Sequence, residues 1–235
     1  MNELALFAGA GGGILGGKLL GWRTVCAVEW EQYPACVLAA RQNDGLLPPF
    51  PIWDDVQTFD GKPWAGIVDV ISGGFPCQDL SIAGRQAGLN GDRSGLYREY
   101  LTIINACKPD WVVTENVGHT WKRWVPELRR ELFKLGYASL PLRVRALDVG
   151  APHERKRIFI VAHADSELLW ELSRWWSGKG REMAKKFTIT WDKTPRRLGS
   201  NDGISFAMDR RRAIGNAIVP QIAEIIATGI KEVMK

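Results

Sequence analysis

Short apolar runs alternate with segments of helical pattern along most of the chain. The apolar runs occupy residues 4–8, 25–28, 67–71, 111–114 and 158–162. The segments predicted to be helical are residues 32–42, 95–107 and 122–135. This alternation is typical of an α/β protein with a doubly wound, mostly parallel sheet. Because ligands of such sheets bind at the carboxyl ends of the strands, we expect the functional residues there.

Three other stretches depart from this pattern. Residues 46–53 carry three prolines and are predicted to be a loop. Residues 164–209 carry four tryptophans and many basic residues without a clear period, which indicates an inserted segment. From residue 214 the pattern is helical again, and one face collects Ile218, Ile222, Ile225, Ile226 and Val233. We therefore divide the chain into residues 1–163, 164–209 and 210–235.

The composition excludes several classes of protein. A length of 235 residues fits one medium domain. No run of about 18 apolar residues occurs, so no membrane span is expected, and the first residues do not resemble a signal peptide. The four cysteines show no CxxC spacing and only three histidines accompany them, so no metal site is expected. We expect a cytoplasmic protein in which Cys26, Cys36 and Cys107 pack as small hydrophobes.

The charge is distributed unevenly between the two halves of the chain. Residues 1–110 hold 8 Lys/Arg against 12 Asp/Glu, a net charge of −4, whereas residues 111–235 hold 23 against 14, a net charge of +9. This asymmetry indicates either a polyanion that meets the second half or a solvated basic face.

A glycine-rich turn follows the first predicted strand. Gly11, Gly13 and Gly16 match the G-x-G-x-x-G pattern, and Glu29 closes the second strand 20 positions after Gly9. Such a turn lets the backbone approach a ligand, and such an acid accepts hydrogen bonds from ribose hydroxyls. The pattern permits NAD, FAD or S-adenosylmethionine. Trp30 then offers a flat face for an adenine or belongs to the core.

Two segments at later strand ends carry candidate chemistry. Cys77 follows Gly73-Gly74-Phe75-Pro76, a turn that would hold the thiol rigidly and partly exposed, as a nucleophile requires. Glu115, in Thr114-Glu115-Asn116-Val117, would face the same cleft from a neighbouring strand. Either residue alone is a weak signal, since many cysteines are inert and many glutamates cap helices, but the pair in this order is specific.

These segments and five others make the chain resemble the C5-cytosine-specific DNA methyltransferases of bacteria and phages. The matching segments appear in the family's order and lie within residues 4–163 and 210–235. They are Leu6–Gly12, Glu29-Trp30, Asp55-Val56, Gly74–Ser81, Glu115–Val117, Arg155–Phe159 and Gly215–Ala217. The resemblance implies a Rossmann-like class I S-adenosylmethionine-dependent methyltransferase fold, in which a small recognition segment is inserted.

The resemblance also implies a mechanism. Cys77 adds as a thiolate to C6 of a flipped-out cytosine in double-stranded DNA, C5 takes the methyl group of S-adenosylmethionine, and Cys77 then leaves. Glu115 holds N3 and the exocyclic amine of the ring. Arg155 and Arg157 contact the base and its phosphate, and Arg157 is expected to support Glu115.

The family's cofactor and DNA contacts carry over to matching positions of this chain. The residues expected to bind S-adenosylmethionine are Phe7, Ala10, Gly11, Gly12, Glu29, Trp30, Asp55, Val56, Pro76, Asn216 and Ala217. Asp55, with Asp54, reaches an adenine amino group or caps a turn. The residues expected to contact DNA lie on the segment after Cys77, which resembles the family's mobile catalytic loop, and they are Gln78, Ser81, Arg85 and Arg93.

The resemblance is weakest in the inserted segment. Residues 164–209 are short for the family's target-recognition region, so we expect minimal or relaxed recognition, or a partner protein that supplies it. The tryptophans at positions 170, 175, 176 and 191 either stack on bases or form a small satellite core. We expect a monomer. The alternatives are a tRNA methyltransferase of the same family, an inactive DNA- or cofactor-binding module, and a nicotinamide oxidoreductase.

Overall fold

A computed structural model describes residues 1–76, 94–150, 154–186 and 218–235. Its seven-stranded sheet has the order β3-β2-β1-β4-β5-β7-β6. The strands are β1 (Asn2–Leu6), β2 (Arg23–Val28), β3 (Ile52–Trp53), β4 (Val70–Gly73), β5 (Trp111–Val117), β6 (Ala138–Arg145) and β7 (Lys156–His163). The helices are α1 (Gly12–Leu19), α2 (Gln32–Asn43), α3 (Ser94–Cys107), α4 (Trp121–Lys134), α5 (Ser166–Trp175), α6 (Arg181–Lys186) and α7 (Pro220–Val233).

Five neighbouring strands, β3, β2, β1, β4 and β5, pair in parallel and end at one edge of the sheet. Leu6 is in register with Val28 of β2 and with Gly73 of β4, and Gly73 is in register with Thr114 of β5. Strand β7 runs antiparallel between β5 and β6. The turns after β1, β2, β4 and β5 therefore meet at one edge, as the alternating pattern predicted.

The sheet is covered on both faces. On one face Leu4, Ile71 and Val112 pack with residues of α3 and α4. On the other face Val70 and Trp111 pack with Leu169, Leu172 and the isoleucines of α7. The predicted apolar face of the last helix is therefore a core face. None of the described helices is long and apolar enough to cross a membrane.

Several predicted elements differ from the structure. Ile52 and Trp53 form a short parallel strand beside Ala27 and Val28, although the three neighbouring prolines predicted a loop. Strand β6 was not predicted, because Pro141 interrupts its pattern, and an edge strand that pairs with β7 alone tolerates a proline. Cys26 and Cys107 are buried as expected, but the prediction for Cys36 is wrong, since this cysteine is exposed on α2.

The described half of the inserted segment is helical. In α5, Leu169 and Leu172 are buried against the isoleucines of α7. Trp175 and Trp176 pack on the same cluster, so these two tryptophans belong to the core. Trp170 is 61% exposed, and Arg174 lies over its ring. Trp191 lies outside the described residues.

Candidate active site

The turn after β1 brings a buried carboxylate to the backbone. The N–H of Gly9 donates to Oε2 of Glu29 over 2.7 Å, and the N–H of Glu31 donates to Oε1 over 2.8 Å. Glu29 is 8% exposed. Burial raises the pKa of its carboxyl group, and the two backbone N–H groups oppose this shift. Phe7 adopts a positive φ of 52°, which turns the chain sharply between the strand and the glycines.

The glycines at the start of α1 permit close packing. Gly11 has a φ of 82°, and a Cβ on Gly12 would lie 2.3 Å from the carbonyl oxygen of Ile218. Further along α1, a Cβ on Gly16 would lie 2.5 Å from the Cβ of Ala223 in α7. The last helix therefore packs on the first helix, beside β1. Ala10 lies within this turn.

Two tryptophans adjoin Glu29, one along the chain and one across the sheet. Trp30 is 71% exposed, so the alternative of a core tryptophan is wrong. Trp53, which the sequence did not single out, is 44% exposed, and its carbonyl oxygen accepts the N–H of Glu29. Asp55 caps the following turn by accepting the N–H of Gln57 over 2.9 Å, and Val56 is buried. Trp30 and Trp53 therefore adjoin Glu29 along the chain and across the sheet, and both indoles are exposed.

The ends of β4 and β5 lie in close contact. A Cβ on Gly74 would lie 2.4 Å from the carbonyl oxygen of Glu115 and 3.1 Å from its Oε2, so only glycine fits there. Asn116 donates from Nδ2 to the carbonyl oxygen of Phe75 over 3.0 Å. The ring of Phe75 is buried among Tyr97, Tyr100 and Trp124. Pro76, which follows, is exposed.

Glu115 forms the expected contact with Arg157. The Nε of Arg157 lies 2.5 Å from Oε1 of Glu115, and the two side chains are 17% and 12% exposed. Burial raises the pKa of Glu115, while the charges of Arg157 and Arg155 oppose that shift. A carboxyl group with a raised pKa beside two guanidinium groups is able to hold or release a proton near a substrate.

The structure also shows a buried acid that the sequence did not reveal. Glu3 is 1% exposed and accepts hydrogen bonds from Thr24 over 2.9 Å and from Ser72 over 2.5 Å. Burial raises its pKa, and the two hydroxyl groups oppose the shift. A cavity of about 50 Å³ lies between the sheet, α1 and α7, and Glu3, Ser72 and Glu115 are among its lining residues.

The remaining predicted site residues lie outside the described part of the chain. They are the nucleophile Cys77, the DNA-contacting residues Gln78, Ser81, Arg85 and Arg93, and the cofactor residues Asn216 and Ala217. The structure describes the chain up to Pro76, directly before Cys77, and again from Ile218, directly after Ala217.

The fold and this arrangement of residues define a class of protein. The sheet order, the glycine turn and the acid at the end of β2 are those of a Rossmann-like class I S-adenosylmethionine-dependent methyltransferase fold. The family model for C-5 cytosine-specific DNA methylase matches residues 1–195. The chain therefore belongs to the C-5 cytosine-specific DNA methylase family.

Individual relatives agree with this assignment. Type II methyltransferase M.Eco47II of Escherichia coli is 33% identical over 168 residues, which cover 68% of this chain and 38% of that protein. Type II methyltransferase M.HaeII of Haemophilus aegyptius is 33% identical over 172 residues, which cover 70% and 51%. The chain thus matches about half, or less, of the length of these relatives.

A solved structure shares the fold. The DNA modification methyltransferase encoded within an E. coli prophage superposes with a TM-score of 0.55 at 27% sequence identity. The match covers 71% of this chain and 47% of that one.

Proposed function

We propose that this protein methylates DNA at C5 of cytosine, with S-adenosylmethionine as the methyl donor. The observation that carries the proposal is the junction of β4 and β5. Gly74 lies against Glu115, Asn116 holds the carbonyl of Phe75, and Arg157 pairs with Glu115. This junction sets the carboxyl group of Glu115 directly beside the turn that leads into Cys77.

The cofactor side of the site fits S-adenosylmethionine. Glu29 retains free lone pairs on both oxygens after accepting one N–H each, and these are suited to ribose hydroxyls. The exposed indoles of Trp30 and Trp53 offer flat faces for an adenine, with Asp55 and Val56 beside them. Phe7 and the turn Ala10-Gly11-Gly12 would line the methionine end, with Pro76, Asn216 and Ala217 closing it. When bound, this cofactor supplies an electrophilic methyl group.

Cys77 serves as the nucleophile, and Glu115 serves as the proton donor. The thiolate of Cys77 forms a bond to C6 of the cytosine, while Glu115 donates its proton to N3 and so neutralises the charge that develops there. C5 becomes nucleophilic and takes the methyl group. Loss of the C5 proton to a base then breaks the bond to Cys77, and N3 returns its proton to Glu115.

Contacts with DNA surround these two residues. C5 and C6 are unreachable inside a duplex, so the target base must leave the helix. Arg155 and Arg157 would contact that base and its phosphate, and Gln78, Ser81, Arg85 and Arg93 would contact DNA from the segment after Cys77. Because α5 joins the core, we propose that residues 164–209 recognise the target weakly or with the help of a partner protein. We also propose that the enzyme is a cytoplasmic monomer.

Tritium transfer from labelled S-adenosylmethionine tests the proposal. Mixed genomic DNA should gain tritium in 5-methylcytosine, and the Cys77→Ser variant should transfer none while binding S-adenosylhomocysteine like the wild type. Transfer to tRNA but not to DNA would favour the tRNA branch of the family. Binding of S-adenosylhomocysteine without transfer to either would favour an inactive binding module, and binding of NADH instead would favour an oxidoreductase.

A further inference from the structure

Within the described part of the chain, a dense group of positive charges lies on one edge of the sheet. Residues 121–145, which form α4 and β6, hold seven Lys/Arg against two Asp/Glu. Their net charge of +5 equals that of the whole chain. All seven cationic residues are exposed, and they are Lys122, Arg123, Arg129, Arg130, Lys134, Arg143 and Arg145.

A groove runs between α4 and β6 within this basic region. Its volume is about 690 Å³, within the range of about 300–1,000 Å³ that is usual for binding pockets. Apolar side chains line it, among them Val125, Phe133 and Pro141. Phe133 is 77% exposed, which is unusual for a phenylalanine on a helix that packs against a sheet.

Two guanidinium groups are held in place at the wall of the groove. Arg129 donates from Nε to the hydroxyl of Ser139 over 3.1 Å, and Arg143 lies 5.5 Å from the ring centroid of Trp121. Neither arginine is paired with a carboxylate among the described ion pairs, whereas Arg130 is paired with Glu127 and Glu131. Among the cations that line the groove, Arg129 and Arg143 are therefore the ones available to a ligand.

We propose that this groove, bounded by Trp121, Arg129, Phe133 and Arg143, binds a short acidic and aliphatic segment of another protein. The apolar floor favours a polypeptide over a DNA duplex, because phosphates gain nothing from apolar side chains. The segment does not come from residues 187–217 of this chain, because they hold six Lys/Arg against three Asp/Glu and so repeat the charge of the groove.

Side chains rather than a backbone ladder recognise the partner. Among the described strands, β6 pairs only with β7, so its other edge is open. Pro141 lacks an N–H in the middle of that edge and would interrupt the hydrogen bonds of an added strand. The partner is therefore expected to bind through its side chains. Its carboxylates would contact Arg129 and Arg143, and an aliphatic side chain would contact Phe133.

Fluorescence anisotropy with defined probes tests this inference on the full chain. The probe is a labelled 12-residue peptide with the repeat Glu-Val-Asp-Ile. The comparison probes are a Glu homopolymer, the peptide with Lys at every acidic position, and a 12-base-pair duplex. The Glu-Val-Asp-Ile peptide should bind at least about tenfold more tightly than the Lys peptide and the Glu homopolymer, because it satisfies both the charges and the apolar floor.

Three variants separate the contributions. Arg129→Glu/Arg143→Glu should weaken binding of the acidic peptide by about tenfold or more and should strengthen binding of the Lys peptide. Phe133→Ser should weaken binding of the Glu-Val-Asp-Ile peptide and leave binding of the Glu homopolymer unchanged. Arg181→Glu, an exposed charge reversal on α6, is the control and should change neither.

Other results would overturn the proposal. Equal binding of the Glu homopolymer would mean bare charge attraction, and tighter binding of the duplex, lost in the double variant, would mean a nucleic-acid surface. The readout does not depend on methyl transfer. If the protein binds the peptide but shows no transferase activity, the proposed function is wrong and the proposed peptide site stands.

Discussion

The side-chain amide of Asn116 donates a hydrogen bond of 3.0 Å to the carbonyl oxygen of Phe75. Asn116 is the penultimate residue of β5, and Phe75 lies on the turn after β4, two residues before Cys77. The ring of Phe75 is fixed as well, because it lies among three buried aromatic rings. The backbone that leads into Cys77 is therefore held from both its carbonyl and its side chain.

Asn116→Asp should lower kcat without weakening cofactor binding. The substitution removes the only donor of that side chain, and leaving a buried acceptor unpaired costs about 1–3 kcal/mol. We expect kcat to fall by about tenfold or more, with the dissociation constant of S-adenosylhomocysteine unchanged in calorimetry. Asn105→Asp, the same change at an exposed position of α3, is the control and should turn over normally. Wild-type kcat in Asn116→Asp would show that the hydrogen bond does not position Cys77.

Two adjacent glycines of α1 should respond differently to alanine. A Cβ on Gly12 would lie 2.3 Å from a backbone oxygen, whereas a Cβ on Gly13 would lie 3.6 Å from the Cδ1 of Ile218, an ordinary contact. Gly12→Ala should destabilise the fold by about 1–3 kcal/mol, as overpacking does, and should weaken binding of S-adenosylhomocysteine. Gly13→Ala should retain binding and stability. Equal effects in urea unfolding and calorimetry would refute the close packing of α1 on the segment before α7.

Arg157→Ala should shift the pH dependence of kcat to higher pH. Arg157 lowers the pKa of Glu115, so its removal raises that pKa further. If protonated Glu115 serves N3 of the base, activity declines as pH rises through the pKa, and the variant should decline at a higher pH than the wild type. The measurement is kcat at saturating DNA across a pH series. Lys156→Ala removes a neighbouring exposed cation and should not move the profile; an equal shift there would argue against a specific Arg157–Glu115 pair.

Glu3→Gln should flatten the pH dependence of stability. The pKa of Glu3 is raised in the folded protein above its ordinary value of 4.5. The stability that this group contributes is therefore fully present below pH 4.5 and is lost as pH rises through the folded pKa. The variant should lose that decline, which urea unfolding at several pH values would show. Glu182→Gln, an exposed change on α6, is the control and should keep the wild-type dependence of stability on pH. If Glu3→Gln also keeps that dependence, the assignment to Glu3 is wrong.

The sequence predicted the elements whose pattern is local. Glu29 and Glu115 were found because each directly follows an apolar run at a strand end. Glu3 was missed because its partners Thr24 and Ser72 lie 21 and 69 positions away, and only the assembled sheet brings them together. Strand β3 and Trp53 were missed because the pairing with β2 overrides the neighbouring prolines.

The tryptophans of the inserted segment show the same limit. Composition alone left each of them open between a base-stacking role and a core role. The structure separates them by contacts with distant helices, since Trp175 lies against Gly229 of α7, whereas Trp170 remains exposed. A local sequence window does not contain that partner.

Covalent trapping tests the central claim most directly. DNA in which 5-fluorocytosine replaces cytosine has no C5 proton to lose, so the thiol of Cys77 should stay bonded to C6 after methyl transfer. With S-adenosylmethionine present, the wild type and the Cys36→Ser variant should form a complex that survives denaturing electrophoresis and maps to Cys77. Cys77→Ser should form none. Absence of any trapped complex in a wild-type sample that binds the methyl donor, or a complex that maps to another residue, would contradict the account.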